Sequence, residues 1–122
     1  MAQYRHLPIY KAAYSLLQAI TRSTAGFPRA WKYNFGEKLR TESVELIVLI
    51  YHANSHSGEE RLKYAGRFLE RLQAVEVILR TAKDMHLLTV KQFSEIVGLT
   101  DSLGKQAKGW KKATGKLLAE SE

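Results

Sequence analysis

The stretch Glu42–Asn54, ESVELIVLIYHAN, constrains this chain more than any other. Its apolar residues fall at Val44, Leu46, Ile47, Val48, Leu49, Ile50, Tyr51 and Ala53, so nearly every side of a helix would be hydrophobic. A helix wet on one face shows a single apolar stripe; one that is apolar all round is buried on more than one side. At 100° per residue, Leu39, Leu46, Ile50 and Ala53 share one side, while Val44, Ile47, Val48 and Tyr51 extend round to others. One bundle core needs a stripe only somewhat over 100° wide. The excess at Val44, Ile47, Val48 and Tyr51 therefore predicts a subunit interface, the other reading being a helix that is simply the most central of its bundle.

Around this spine the chain reads as four amphipathic helices. Pro8 suits a first helical turn, and Ile9, Ala13, Leu16 and Ile20 predict helix over 8–23, with Tyr10, Tyr14 and Leu17 widening the stripe. Gly26 and Pro28 end it, the glycine offering left-handed C-terminal geometry. Asn34 with Glu37 reads as a capping box opening a helix over 34–55. Ser57 with Glu60 reads the same way for a helix over 58–85, whose buried stripe is Leu62, Ala65, Phe68, Leu69, Leu72, Val75 and Leu79. Thr89 with Gln92 opens a last helix over 89–115, built on Phe93, Ile96, Leu99, Leu103, Ala107 and Trp110, with a polar tail from about Leu118. Met1–Leu7 reads as a short arm. Short joins and no strand-like alternation predict an all-α, antiparallel four-helix bundle running up-down-up-down as one domain over 1–122.

The charge is lopsided. Nineteen Lys and Arg stand against 12 Asp and Glu, a net charge of +7, which favours a polyanionic partner and nucleic acid above an anionic membrane surface. No cysteine is present, so disulfides, cysteine-based zinc sites and thiol chemistry are excluded. The start of the chain lacks the apolar core of a secretory signal. The longest apolar run, Leu46–Tyr51, is far short of the roughly 18–20 residues that span a bilayer. These features predict a cytoplasmic protein with no membrane partner.

The strongest local chemical signal lies near the C-terminus: Lys105, Lys108, Lys111, Lys112 and Lys116, with no acid between Asp101 and Glu120. On a helix, Lys105, Lys108, Lys112 and Lys116 fall within about 80° of one another, opposite Leu103, Ala107 and Trp110. Such a row of ammoniums matches a phosphate backbone in spacing and sign and reads no base sequence; the competing reading is a solvated face satisfying the helix dipole. Lys63, Arg67 and Arg71, spaced by four, form a second basic stripe with Glu59 and Glu70 as local partners. A third cluster sets Arg29, Lys32, Lys38 and Arg40 among Trp31, Tyr33 and Phe35, a mixture that can stack single-stranded bases or wedge a helix junction. Arg80, four residues from both Glu76 and Asp84, reads as a surface ion-pair ladder or an interface arginine.

Catalytic signatures are missing. His52 and His56 are four apart but have no third ligand in view. Glu42 and Glu45 read better as salt-bridging than as an acid–base pair. No Glu-x-x-His, HExxH, phosphate loop or nucleophile elbow occurs. The expectation is a protein with no enzymatic activity, no cofactor, no metal and no small-molecule substrate.

Four pieces in order, FPRAWKYNFGEKL followed by LIVLIYHAN, LRTAKDMHLLTVKQF and LGKQAKGWKK, carry a resemblance. The chain resembles the accessory variability determinant proteins of diversity-generating retroelements, part of a wider four-helix-bundle family that includes the ribosomal intervening-sequence proteins. The resemblance implies a homopentameric ring that binds a reverse transcriptase and supports mutagenic, template-primed cDNA synthesis from template RNA without polymerase activity of its own. It implies a partner-binding role for Arg80, an anchoring role for Trp110, and wet basic surfaces for the lysines of the last helix. Glu76, one turn before Arg80, departs from this pattern, since a basic residue there would strengthen a polymerase- or RNA-binding face. The alternative within the wider family is an oligomeric assembly protein with no nucleic-acid role.

Overall fold

The computed structural model describes residues 4–121, and these form helices with no strand among them. A 3-10 turn at Tyr4–His6 leads into α1 (Pro8–Ala25). A helical turn at Arg29–Trp31 and a π-helical segment at Lys32–Gly36 run directly into α2 (Glu37–Ser55). Helices α3 (Gly58–Asp84) and α4 (Val90–Ser121) complete the described residues. Each helix packs on its sequence neighbour, and α1 closes against α4, giving a four-cornered bundle. None of these helices is long and apolar enough to cross a membrane.

The core follows from helical spacing. Leu16 and Ile20 from α1, Leu39, Leu46 and Ile50 from α2, Leu72 and Leu79 from α3, and Ile96 and Leu103 from α4 are its largest fully buried side chains. Burying each is worth about 1.5–3 kcal/mol, which is why a regular apolar stripe fixes a helix in place better than propensity does. Leu62 and Leu69 of the expected α3 stripe are only half-buried.

Several local expectations are corrected. Asn34 is not an N-cap: the backbone N–H groups of Trp31 and Lys32 already donate to Pro28 O at 2.9 Å, so helical winding begins five residues earlier. Asn34 instead sits inside the π segment, its Nδ2 donating to Ala30 O at 2.9 Å. The π turn ends on a glycine, and packing explains that residue. Gly36 is buried, and a Cβ there would come within 3.2 Å of Arg40 Nη1 and 3.4 Å of Thr24 Cβ. Arg40 Nη1 in turn donates to the buried Thr24 hydroxyl at 2.9 Å, locking α2 to the end of α1.

Gly26 does not adopt left-handed geometry; its φ is −89°. The left-handed residues are Gly58, at φ 59°, and His86, at φ 60°. His86 stops α3: Leu87 N reaches back to Ala82 O at 2.9 Å, a Schellman closure that works without the usual glycine. Ser57 makes no side-chain cap, so the Ser57–Glu60 box is absent. Arg61 acts there instead, its Nε donating to Ala53 O and His56 O at 2.9 Å and covering the carbonyl end of α2. The Thr89–Gln92 box does form, with Gln92 N to Thr89 Oγ1 at 3.0 Å and Thr89 N to Gln92 Oε1 at 2.9 Å. Helix α4 continues through Ser121 rather than ending at 115, because Lys116–Glu120 contains good helix formers and no proline.

Candidate nucleic-acid interface

The five lysines of α4 form the clearest site. Lys105, Lys108, Lys111, Lys112 and Lys116 are all exposed, while Leu103, Ala107 and Thr114 on the opposite side are buried. Trp110 is half-buried and packs against the core, with the Arg61 guanidinium 5.8 Å from its ring centre. The ridge is therefore held by its own helix: the apolar spacing that seats α4 in the core turns the lysines to water. Among the described residues, none of the five has a carboxylate within 4 Å. Unpaired like charges in a row cost the fold something through mutual repulsion, and an anion laid along them relieves it.

The second basic stripe divides. Lys63 and Arg67 are exposed, and the Arg67 guanidinium rests 5.6 Å from the centre of the Tyr64 ring. Arg71 is already engaged, but not by Glu59 or Glu70. Its Nη1 lies 3.3 Å from both carboxylate oxygens of Glu42 on α2. Lys38 adds a third charge at 3.5 Å, so Glu42, with a side chain only 6% exposed, is a structural ion-pair centre joining α2 to α3. Arg71 is thereby turned toward α2, while Lys63 and Arg67 remain at the surface.

Arg29 and Lys32 lie near the end of α1, before α2, whereas Lys63 and Arg67 lie at the start of α3, beside the opposite end of α2. The structure thus separates them from the Lys63 cluster by the length of α2. Arg29 is exposed and Lys32 half-exposed. Beside them Trp31 stacks on Phe35 with ring centres 5.3 Å apart, and both pack against the core, so the two rings wedge the α1–α2 junction. Tyr33 alone of the three rings projects, 65% exposed. Arg80 makes no ion pair within 4 Å among the described residues, so the ladder with Glu76 and Asp84 is not formed. It lines a cleft of about 60 Å³ with Glu76, Phe93, Val97 and Asp101 between α3 and α4.

The apolar surplus of α2 faces outward. Val44 is 46% exposed, Val48 38% and Tyr51 40%, with Ile47 half-buried beside them. The face continues onto α1 through rings in contact: Tyr51 meets Tyr4 at 5.3 Å, Tyr4 meets Tyr10 at 5.3 Å, and Tyr10 stacks on Tyr14 at 6.1 Å. This aromatic continuation onto α1 was hidden from a reading of one helix at a time, where Tyr10 and Tyr14 count only as a broadened stripe.

His52 and His56 turn to a ring rather than to each other's lone pairs. Tyr64 of α3 lies between them, 5.1 Å from His52 and 5.0 Å from His56. His56 Nδ1 is 2.6 Å from His52 O. The cluster fastens the α2–α3 elbow, and among the described residues no group of three His, Asp or Glu side chains is placed to share a metal ion. No protein-family model matches the chain, and no curated protein matches it closely enough to count as a relative.

Proposed function

We propose that this protein is a non-catalytic nucleic-acid-binding subunit that works through the lysine ridge of α4. One observation carries the proposal: five exposed ammoniums on one helix, none with a carboxylate within 4 Å among the described residues. The resemblance to accessory variability determinant proteins supplies the context: a reverse transcriptase as protein partner, template RNA or cDNA as the nucleic acid, and a cytoplasmic setting. On this reading Lys63 and Arg67 add phosphate contacts, and Arg80, Arg29 and Lys32 serve the polymerase. The bundle runs up-down-up-down, an arrangement supported by its short corners and by the meeting of Gly58 with Leu118 and of Gly104 with Leu72. Copies assemble through Val44, Ile47, Val48 and Tyr51 into a ring, five-membered by the resemblance. A contiguous apolar face beside unburied tyrosines supports that role.

The test is RNA and DNA binding by fluorescence anisotropy across a salt series. Replacing Lys105, Lys108 and Lys112 together by alanine should lower the magnitude of the log–log salt slope by about 3 and weaken binding roughly uniformly over sequences. Binding unchanged by both salt and the triple replacement would leave only the assembly role shared with intervening-sequence proteins.

A further inference from the structure

The α4 ridge also has the features of a surface for one form of nucleic acid. Proteins that hold single strands pair a basic track with aromatic rings on which bases stack. Helix α4 has the track and lacks the rings. Its aromatics, Phe93 and Trp110, are half-buried and pack against the core. Among the described residues, the exposed Phe, Tyr and Trp rings are Tyr14, Tyr33 and Tyr51, which lie on α1, in the segment before α2, and on α2. A single strand on the ridge would leave its bases in water, gaining only phosphate contacts.

A duplex has no such need. Its bases are already stacked, and it presents one charge per about 1.7 Å of axis against 3.4 Å for each strand. Lys105 to Lys116 spans about 16 Å at the helical rise, with successive lysines roughly 4.5–6 Å apart, so the row follows one backbone over several phosphates. The ridge is also bare between its charges: a Cβ added at Gly109 or Gly115 would have nothing within 4 Å. The helix can therefore lie close against a sugar–phosphate backbone.

Resting on the nucleic-acid reading above, we propose that the α4 lysine ridge selects double-stranded nucleic acid, holding its phosphodiester backbone without reading base identity. The decisive comparison uses the full chain with a 20-nucleotide single strand and the blunt duplexes of the same sequence, one of DNA and one of RNA, titrated by anisotropy between 50 and 200 mM salt (about the range over which such contacts separate). The duplexes should bind about ten-fold or more tighter than the single strand, with the four ridge lysines contributing about four phosphates, near −3.6, to the salt slope. Replacing Lys105, Lys108, Lys112 and Lys116 by glutamine should erase the preference, while circular dichroism reports an unchanged helix content. Equal or tighter binding of the single strand would overturn the proposal and leave nucleic-acid binding standing. Binding to polyglutamate as tight as to duplex would overturn it too, by showing a site for any polyanion. No binding to any nucleic acid would remove the functional reading itself.

Discussion

Helices α2 and α4 contribute to the same core yet present opposite chemistry to water. The outer face of α2 carries Val44, Val48 and Tyr51 and no basic side chain between Arg40 and His52. The outer face of α4 carries five lysines. Both bury a comparable stripe, Leu39, Leu46 and Ile50 on one and Ile96, Leu103 and Ala107 on the other. Core packing therefore dictates neither surface. The sequence has spent its outward positions differently on the two helices, and the function proposed above rests on that difference more than on the bundle, assigning one face to another copy of the chain and one to a polyanion.

The largest expected effect comes from moving charge onto the apolar face. Val48→Glu places a carboxylate at a position 38% exposed, where an isolated bundle can keep it hydrated. A subunit contact cannot, because a buried unpaired charge costs several kcal/mol. Association between copies should weaken by at least about 100-fold, as each 1.4 kcal/mol is a factor of ten. Light scattering after size-exclusion chromatography checks it. A wild-type monomer at micromolar concentration would break the comparison at once, since the α2 face would then have no partner of its own kind. The mirror change, Lys108→Val, should leave assembly untouched and weaken nucleic-acid binding only.

A smaller effect tests the seam between α2 and α3. Glu42 is buried and collects Arg71 and Lys38, both more than half exposed. Glu42→Ala removes those charge-assisted bonds without stranding a buried cation, so the loss should be modest for a buried pair, about 1–3 kcal/mol. Urea unfolding measures it. Arg71→Ala should cost at least as much, because it leaves the buried carboxylate with Lys38 alone. If Arg71→Ala is neutral in stability yet lowers nucleic-acid affinity strongly, Arg71 belongs to the binding surface after all.

These features were unequally legible in the sequence. Helix positions were, because Leu16, Leu46, Leu72 and Leu103 recur with their neighbours at helical spacing and burial enforces that spacing. The outward turn of the α4 lysines followed from the same periodicity. Long-range pairing was not legible: Glu59 and Glu70 are the near neighbours of Arg71 in sequence, but Glu42 is its partner in space. Nor was Arg61 recognisable as the cover for the end of α2, since its partners are backbone carbonyls on another helix. The π turn at Lys32–Gly36 ends at a close approach of Gly36, Arg40 and Thr24, which no local pattern announces.

The smallest effect separates the two corners. At the end of α1, Gly26 has an ordinary right-handed φ of −89°, and a Cβ there would meet only Ser23 O at 3.7 Å. At the end of α3, His86 carries a side chain at φ 60°. The glycine thus stands at the corner that does not need it, and the left-handed residue at the other corner is not glycine. Gly26→Ala reduces the freedom of the unfolded chain at little folded-state cost, and His86→Gly removes the left-handed penalty at the cost of some of that freedom. Each should raise stability by about 0.5–1 kcal/mol, Gly26→Ala through the unfolded state and His86→Gly through the folded one. The two corners share no partners, so the gains should add in the double replacement. A thermal midpoint that falls for His86→Gly would mean that the imidazole holds the α3–α4 corner by a contact worth more than the strain it imposes.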